Sequence, residues 1–476
     1  MKEFLRAFNS GVFEKDLSGE QKELARNLLN IGAISAHKGR LYLNDGYVFG
    51  RLDIARDGTG YLQSFDDRFK ADLIIENRYL SGVHLGDLIL AKILSSRKSR
   101  LHAKVLMCVK PAFLTSVVYT KSFGREILGV NVKTGLANPL KATQKSLKQL
   151  PSGTLLKIDN LTNEITEVIG SLADPFVDEK ISLAIYDKND EFNEACKQQA
   201  ASFGSEVDEA LYPQRVDLQH LPFCTIDPID AKDFDDAIYF DVKERTLYVA
   251  IADVSEYVSE YSPIDKEAKF RGFSIYFPHR SVPMLPRELS ENICSLMPDL
   301  PRLAFVFKIS LDENLNPQKE ELFEAIIRSK RRYDYDEVDE ILRTGKACEP
   351  EILSWLLPLN EICERLRRAR LKRGFDFRTK ELRITLDERG LISSTRFETD
   401  TPSHKLIEDC MLLANKAAAA RIERGIFRNH GSAELKKIYA LLDDLALFGI
   451  DAPYQSNLAK MIGEIQAQAD TMGIRE

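Results

Sequence analysis

The chain has 476 residues, 44% of them hydrophobic and 29% charged, with a formal net charge of −7. That length suits about three globular domains, whereas no stretch approaches the roughly 18 uncharged apolar residues of a membrane span. The first eight residues lack a secretory signal's apolar core, and seven scattered cysteines form neither a disulfide framework nor a zinc pattern, so the expected compartment is the reducing cytoplasm.

Taken in order, Ser18-Gly-Glu-Gln21 has capping-box spacing ahead of Leu24, Leu28, Leu29 and Ile31. It predicts a helix over 18–31 inside a small lead module, 1–44. The period then falls to two. Strand-like stretches at Tyr47 to Ile54, Arg56 to Leu62 around an Asp-Gly turn, Ala71 to Ile75, Leu88 to Ile93 and Ala103 to Leu106 predict a barrel of the oligonucleotide-binding (OB) type over 45–110. Among Tyr47, Phe49, Tyr61, Phe65 and Phe69, one or two exposed rings are expected as stacking faces for bases. Residues 111–172 repeat the texture and predict a second barrel. A helix-prone connecting segment, 173–215, follows. Beyond it, 216–476 reads as mixed α and β: a buried strand at Leu247 to Val254, a Ser262-Pro263 helix start, a short helix from Arg287, a longer one from Glu351 to Arg373 interrupted near Pro358, a hairpin near Asp387 to Gly390, and a helix from Ser403.

Five aspartates crowd the ten residues from Asp227 to Asp236, with Asp230, Asp233 and Asp235 between, and only Lys232 offsets them. Two carboxylates 4 Å apart repel by about 4 kcal/mol at an effective dielectric near 20, so several in one pocket need a cation or must splay into water. Strand-like Phe223 to Ile226 and Ala237 to Phe240 anchor the turn at both ends. Hard oxygen donors suit magnesium or manganese. A calcium EF-hand loop is excluded, because from Asp227 its third, fifth, sixth and twelfth positions hold Ile229, Ala231, Lys232 and Ile238. Spacing alone leaves a second reading, a solvated surface turn.

Basic residues cluster at Arg97 to Arg100, Lys141 to Lys148, Arg328 to Arg332 and Arg365 to Arg373. For any one run the simpler reading is a solvated face. The last is the most suggestive of nucleic acid, since its cations surround a helix.

The run Asp227-Pro-Ile-Asp-Ala-Lys-Asp-Phe-Asp-Asp236 resembles the signature of the ribonuclease II / ribonuclease R (RNB) family. Val249 to Ser255, Tyr276 to Pro286 continued by Glu288 to Leu296, Arg373 to Phe377, and His404 to Asn415 resemble further family blocks in the same order. The resemblance implies an α+β chain, tandem cold-shock-type OB barrels before an RNB-type catalytic domain, with a lead module more like ribonuclease R than ribonuclease II. It implies a processive 3′-to-5′ exoribonuclease that hydrolyses single-stranded RNA to nucleoside 5′-monophosphates with Mg2+, or Mn2+, as a monomer. Asp227, Asp233, Asp235 and Asp236 match the family's metal-holding catalytic acids, Asp235 being the most sensitive; Asp230 is an additional carboxylate behind them. Two such ions activate water and stabilise the departing 3′ oxygen, so no histidine or lysine base is required. Tyr276 matches the tyrosine that packs on the 3′-terminal nucleotide.

One departure stands out. The family's Ser-Pro-Ile-Arg-Arg-Tyr block and third barrel have no match before Glu476, so the resemblance implies an incomplete catalytic domain, short of a phosphate-clamping arginine and weak by itself. Two rival functions remain open from the residues: a catalytically silent RNA-binding protein, and an unrelated metal-dependent phosphatase or endonuclease.

Overall fold

A computed structural model describes the chain except residues 56–57, 81, 98–99, 373, 375, 377–379, 428–430, 432 and 474–476, with the side chains of 95–97, 100 and 380 also outside the description. The Arg97 to Arg100 run, the first residues of the expected Asp-Gly turn and most of the Arg373 to Phe377 block therefore fall outside it. The chain divides into two compact units, residues 1–190 with 387–391, and 191–386 with 392–476.

In the first unit the helix Gly19–Asn30 begins at a capping box made by Ser18 and Gln21, beside a small sheet of Val12–Phe13, Arg40–Leu43 and Ile34–His37. Tyr47–Ile54, Gly60–Ser64, Leu73–Ile75, Arg100–Lys110 and Leu88–Arg97 close into a barrel in that order. Val48, Leu52, Leu62, Leu73, Ile75 and Ile89 fill it. Gly50 is required there, because a Cβ would stand 2.5 Å from the Gln63 carbonyl oxygen. The expected stacking rings are not on offer: Phe49 and Phe65 are buried, and Tyr47, Tyr61 and Phe69 are half-buried. Phe49, Phe65 and Tyr47 pack instead with Leu5, Phe8 and Leu28 of the lead module, and Phe69 packs against the barrel core.

The second β module is a five-stranded antiparallel sheet, ordered Ala137–Asn138, Glu126–Asn131, Thr115–Phe123, Thr154–Asp159, Ile165–Ser171. Among the described residues its strand pairing runs edge to edge without closing a ring. Val118, Leu140, Leu147, Leu156 and Ile158 form its core.

The second unit is built on a seven-stranded sheet, ordered Val216–Asp217, Pro317–Arg328, Pro301–Leu311, Thr246–Ala252, Asp236–Asp241, Cys224–Asp227, Arg331–Asp334. Its central strands are apolar on both faces, as a covered sheet requires. Ile238, Phe240, Leu247 and Val249 pack with Trp355, Leu356, Leu406 and Cys410 of the overlying helices. Ala237, Ala250 and Ala252 pack with Ile264, Leu289 and Ile293 on the other side.

Two expectations change here. The helix Pro350–Leu371 runs unbroken through Pro358; burial of Trp355, Leu356, Leu359 and Ile362 holds the turn that loses one amide hydrogen bond. Its basic run is divided: Arg367 and Arg370 reach the buried Asp409 at 2.5 and 2.7 Å, whereas Arg365 and Lys372 are exposed and Arg368 pairs with Glu364 at 3.0 Å on the surface. Likewise Arg331 pairs with Glu337 and Glu349, and Arg328 donates to the Asp299 carbonyl and to Gln219. The start from Arg287 includes a π-helical turn, Leu289–Ile293. No cysteine is in a disulfide; Cys348 is exposed, Cys108 half-buried and the others buried. Among the described residues no helix is long and apolar enough to cross a membrane.

Candidate active site

Cys224–Asp227 and Asp236–Asp241 are antiparallel neighbours paired at Cys224 and Ile238. The acidic segment is thus the loop that joins adjacent strands of a buried sheet. Asp227 ends the first strand and Asp236 begins the second. Each leaves the sheet where apolar packing stops, which puts charge at the rim of a low-dielectric core.

The surroundings leave these acids reluctant to ionise. Burial, followed by the charge of Asp236, pushes Asp227 up to about 7, while the neighbouring Thr225 side chain and then the Arg332 guanidinium pull the other way. Burial and then the charge of Asp235 raise Asp236 to about 6. Asp235 keeps an edge open to solvent, yet crowding by protein atoms and then the charge of Asp233 raise it too. A chain of mutual repulsion therefore links all four predicted acids. Asp230 lies outside that chain: it is exposed, and its field acts on Arg383.

The loop backbone is pinned along its length. The Ala231 amide donates to the Pro228 carbonyl at 3.0 Å, and the Ala252 amide to the Asp235 carbonyl at 2.9 Å. The Ser295 hydroxyl donates to the Lys232 carbonyl at 2.9 Å and accepts from the Phe234 amide at 3.1 Å. Arg332 donates to the Pro228 carbonyl. The last strand of the sheet, parallel to the first acidic strand, sets Asp334 beside Asp227, but the Asp334 carboxylate caps the next helix by accepting from the Glu337 amide at 2.8 Å.

Three neighbours escaped the sequence reading. Tyr335 has its hydroxyl pushed up to about 12 by burial and then by the charges of Asp227 and Asp236, and its ring stacks on His404 with centroids 3.8 Å apart. Arg332 looked like part of a solvated basic run. Ser295 meets partners more than sixty residues away in sequence, so no local spacing marks it. Tyr276 stands on the hairpin of Ile275–Tyr276 and Ser281–Val282, 72% exposed.

The donor set fits a divalent cation. It consists of hard carboxylate oxygens, and Asp227 Oδ2 is buried with no hydrogen-bond partner, a costly arrangement unless a cation meets it. Among the described residues no three acidic, histidine or cysteine side chains yet close around one point, consistent with repulsion holding carboxylates apart.

An RNB domain matches residues 215–474, a ribonuclease R first OB domain residues 3–104, and a ribonuclease R second OB domain residues 117–183. Two OB domains leading into an RNB domain define the class of 3′-to-5′ exoribonuclease hydrolases, whose members depend on divalent metal. Ribonuclease R of Helicobacter pylori strain 26695 is 34% identical over 465 residues, covering 95% of this chain and 70% of the relative. Ribonuclease R of Escherichia coli K12 is 30% identical over 446 residues, 87% of this chain and 53% of the relative. Among solved structures, Mycoplasma genitalium RNase R in complex with ribose-methylated single-stranded RNA superposes with a TM-score of 0.75 at 26% identity, covering 89% of this chain and 70% of that one. The chain belongs to the RNB family, on its ribonuclease R branch. Yeast Ssd1, a pseudonuclease, shares the fold at a TM-score of 0.63 and 15% identity.

Proposed function

We propose that the chain degrades single-stranded RNA processively from its 3′ end to nucleoside 5′-monophosphates, and that Asp227, Asp233, Asp235 and Asp236 hold the Mg2+ or Mn2+ that the reaction needs. The observation that carries this reading is the buried, unpartnered Oδ2 of Asp227 among acids whose pKa values are raised by burial and by one another. Bound there, a divalent ion supplies Lewis acidity toward the scissile phosphate and a nucleophile at neutral pH. The protein's part is positional. Its pinned loop holds four carboxylates at the sheet rim, and the open edge of Asp235 lets one of them meet a phosphate from solvent. Tyr276 offers an exposed ring against which a terminal base stacks, by the family resemblance of its loop. The resemblance also supports a monomer acting in the cytoplasm.

The test uses single-stranded RNA labelled at every internucleotide phosphate, with enzyme in excess, so that slow turnover still registers and each released product is seen. Nucleoside monophosphates released only with Mg2+ or Mn2+, and lost in Asp235→Asn, are expected. RNA that is bound but never shortened supports a silent binding protein instead, and internal fragments or inorganic phosphate support an unrelated metal hydrolase.

A further inference from the structure

We propose that Ser295 is a positioning residue for the metal-binding carboxylates, acting through the backbone of loop residues 232–235; this rests on the metal reading above. Its side chain is fully buried, and its hydroxyl is used in both directions, donating to the Lys232 carbonyl at 2.9 Å and accepting from the Phe234 amide at 3.1 Å. The adjoining Leu296 amide donates to the Phe234 carbonyl at 2.9 Å. One short segment thus takes up both backbone polar groups of Phe234, the residue between Asp233 and Asp235, and grips the residue before Asp233 as well.

The brace has its own support. Arg302, 1% exposed, donates from Nε to the Ser295 carbonyl at 2.9 Å and from Nη1 to the Pro301 carbonyl at 3.0 Å. Burying a guanidinium is costly, and here it fixes the residue that fixes the loop. A line of contacts therefore runs from the Pro301–Leu311 strand through Ser295 to the peptides flanking Asp233. The hydroxyl is already committed to two backbone groups, so its role is indirect: it sets where two carboxylates project. A hydroxyl is the small group that donates and accepts at once; Ser295→Ala leaves the buried Phe234 amide unmatched and removes the partner of the partly buried Lys232 carbonyl.

The experiment titrates the full chain with Mn2+ alone, without RNA, by calorimetry, and follows amide exchange over residues 228–236 in wild type, Ser295→Ala, Ser295→Thr and Ser295→Val. Threonine and valine are matched in volume and differ in the hydroxyl, so their comparison stands even if the alanine variant folds poorly. Ala and Val are expected to weaken Mn2+ binding about 10-fold or more, the range for groups that orient ligands, and to speed exchange of the Phe234 amide. Thr is expected to stay near wild type in both. Equal Mn2+ affinity and equal exchange in Thr and Val overturn the proposal. Wild type that takes up no Mn2+, or binds it as well after Asp235→Asn, overturns the metal reading instead, and the exchange rates still decide whether Ser295 holds the loop.

Discussion

Asp227 and Asp236 place negative charge at the edge of an apolar core, the property that would draw a cation and that makes them a liability to the fold. An unfolded aspartate has a pKa of about 3.9, whereas here the values rise to about 7 and about 6. The folded state therefore holds protons that the unfolded state releases, and stability falls with rising pH wherever that is so. For the metal-free protein the contribution of these acids is fully present below about pH 4 and is lost as pH climbs through the folded values. Thermal midpoints recorded in EDTA should accordingly drop between pH 5 and 8, and Asp227→Asn, with no charge to lose, should flatten that slope. A divalent ion held by these carboxylates would meet the deprotonated form, so the stabilising effect of added Mg2+ should grow over the same interval. Asp235→Asn keeps the shape and removes a ligand charge; turnover should fall to background while RNA affinity, measured by filter binding in EDTA, stays near wild type. Tyr276 is 72% exposed, so Tyr276→Ala should leave the melting temperature unchanged. Its cost should appear as RNA affinity, about 1–3 kcal/mol if one base stacks there.

At the level of elements, the helix Pro350–Leu371 shows a sequence pattern that tertiary packing divides between inside and outside. Cations every one or two residues suggested a nucleic-acid face, yet Arg367 and Arg370 turn toward Asp409 on the helix Pro402–Arg421. Asp409 is 2% exposed and serves both guanidinium groups. Removing one member of such a buried set leaves uncompensated charge. Asp409→Ala should lower the unfolding free energy of the second unit by about 3 kcal/mol, read from the shift of that unit's own urea transition, with little direct effect on RNA affinity. The elements that were legible share a reason. The helix Gly19–Asn30 was marked by its local capping box, and the strands beside the acidic loop by apolar alternation. Arg332, Tyr335 and Ser295 are not legible, because each acts on partners brought close only by tertiary folding. The unbroken passage through Pro358 was hidden for the same reason, since tertiary burial decided it.

At the scale of the whole molecule, several cores coexist. The first barrel, the second β module and the C-terminal helices Leu435–Leu447 and Leu458–Thr471 each have a cluster of their own, separate from the two clusters on the faces of the seven-stranded sheet. Cooperativity follows shared cores, so calorimetry should resolve more than one transition. Adding Mg2+ should move the one that belongs to the acidic sheet and leave the barrel's in place. The cysteines offer a further practical consequence. Cys348 alone among the seven is exposed, while burial raises the thiols of Cys224 and Cys294 far from reactivity. The unaltered polypeptide thus comes with a ready address for a maleimide dye, two residues before the helix Pro350–Leu371, from which the second unit can be watched one molecule at a time as RNA is added.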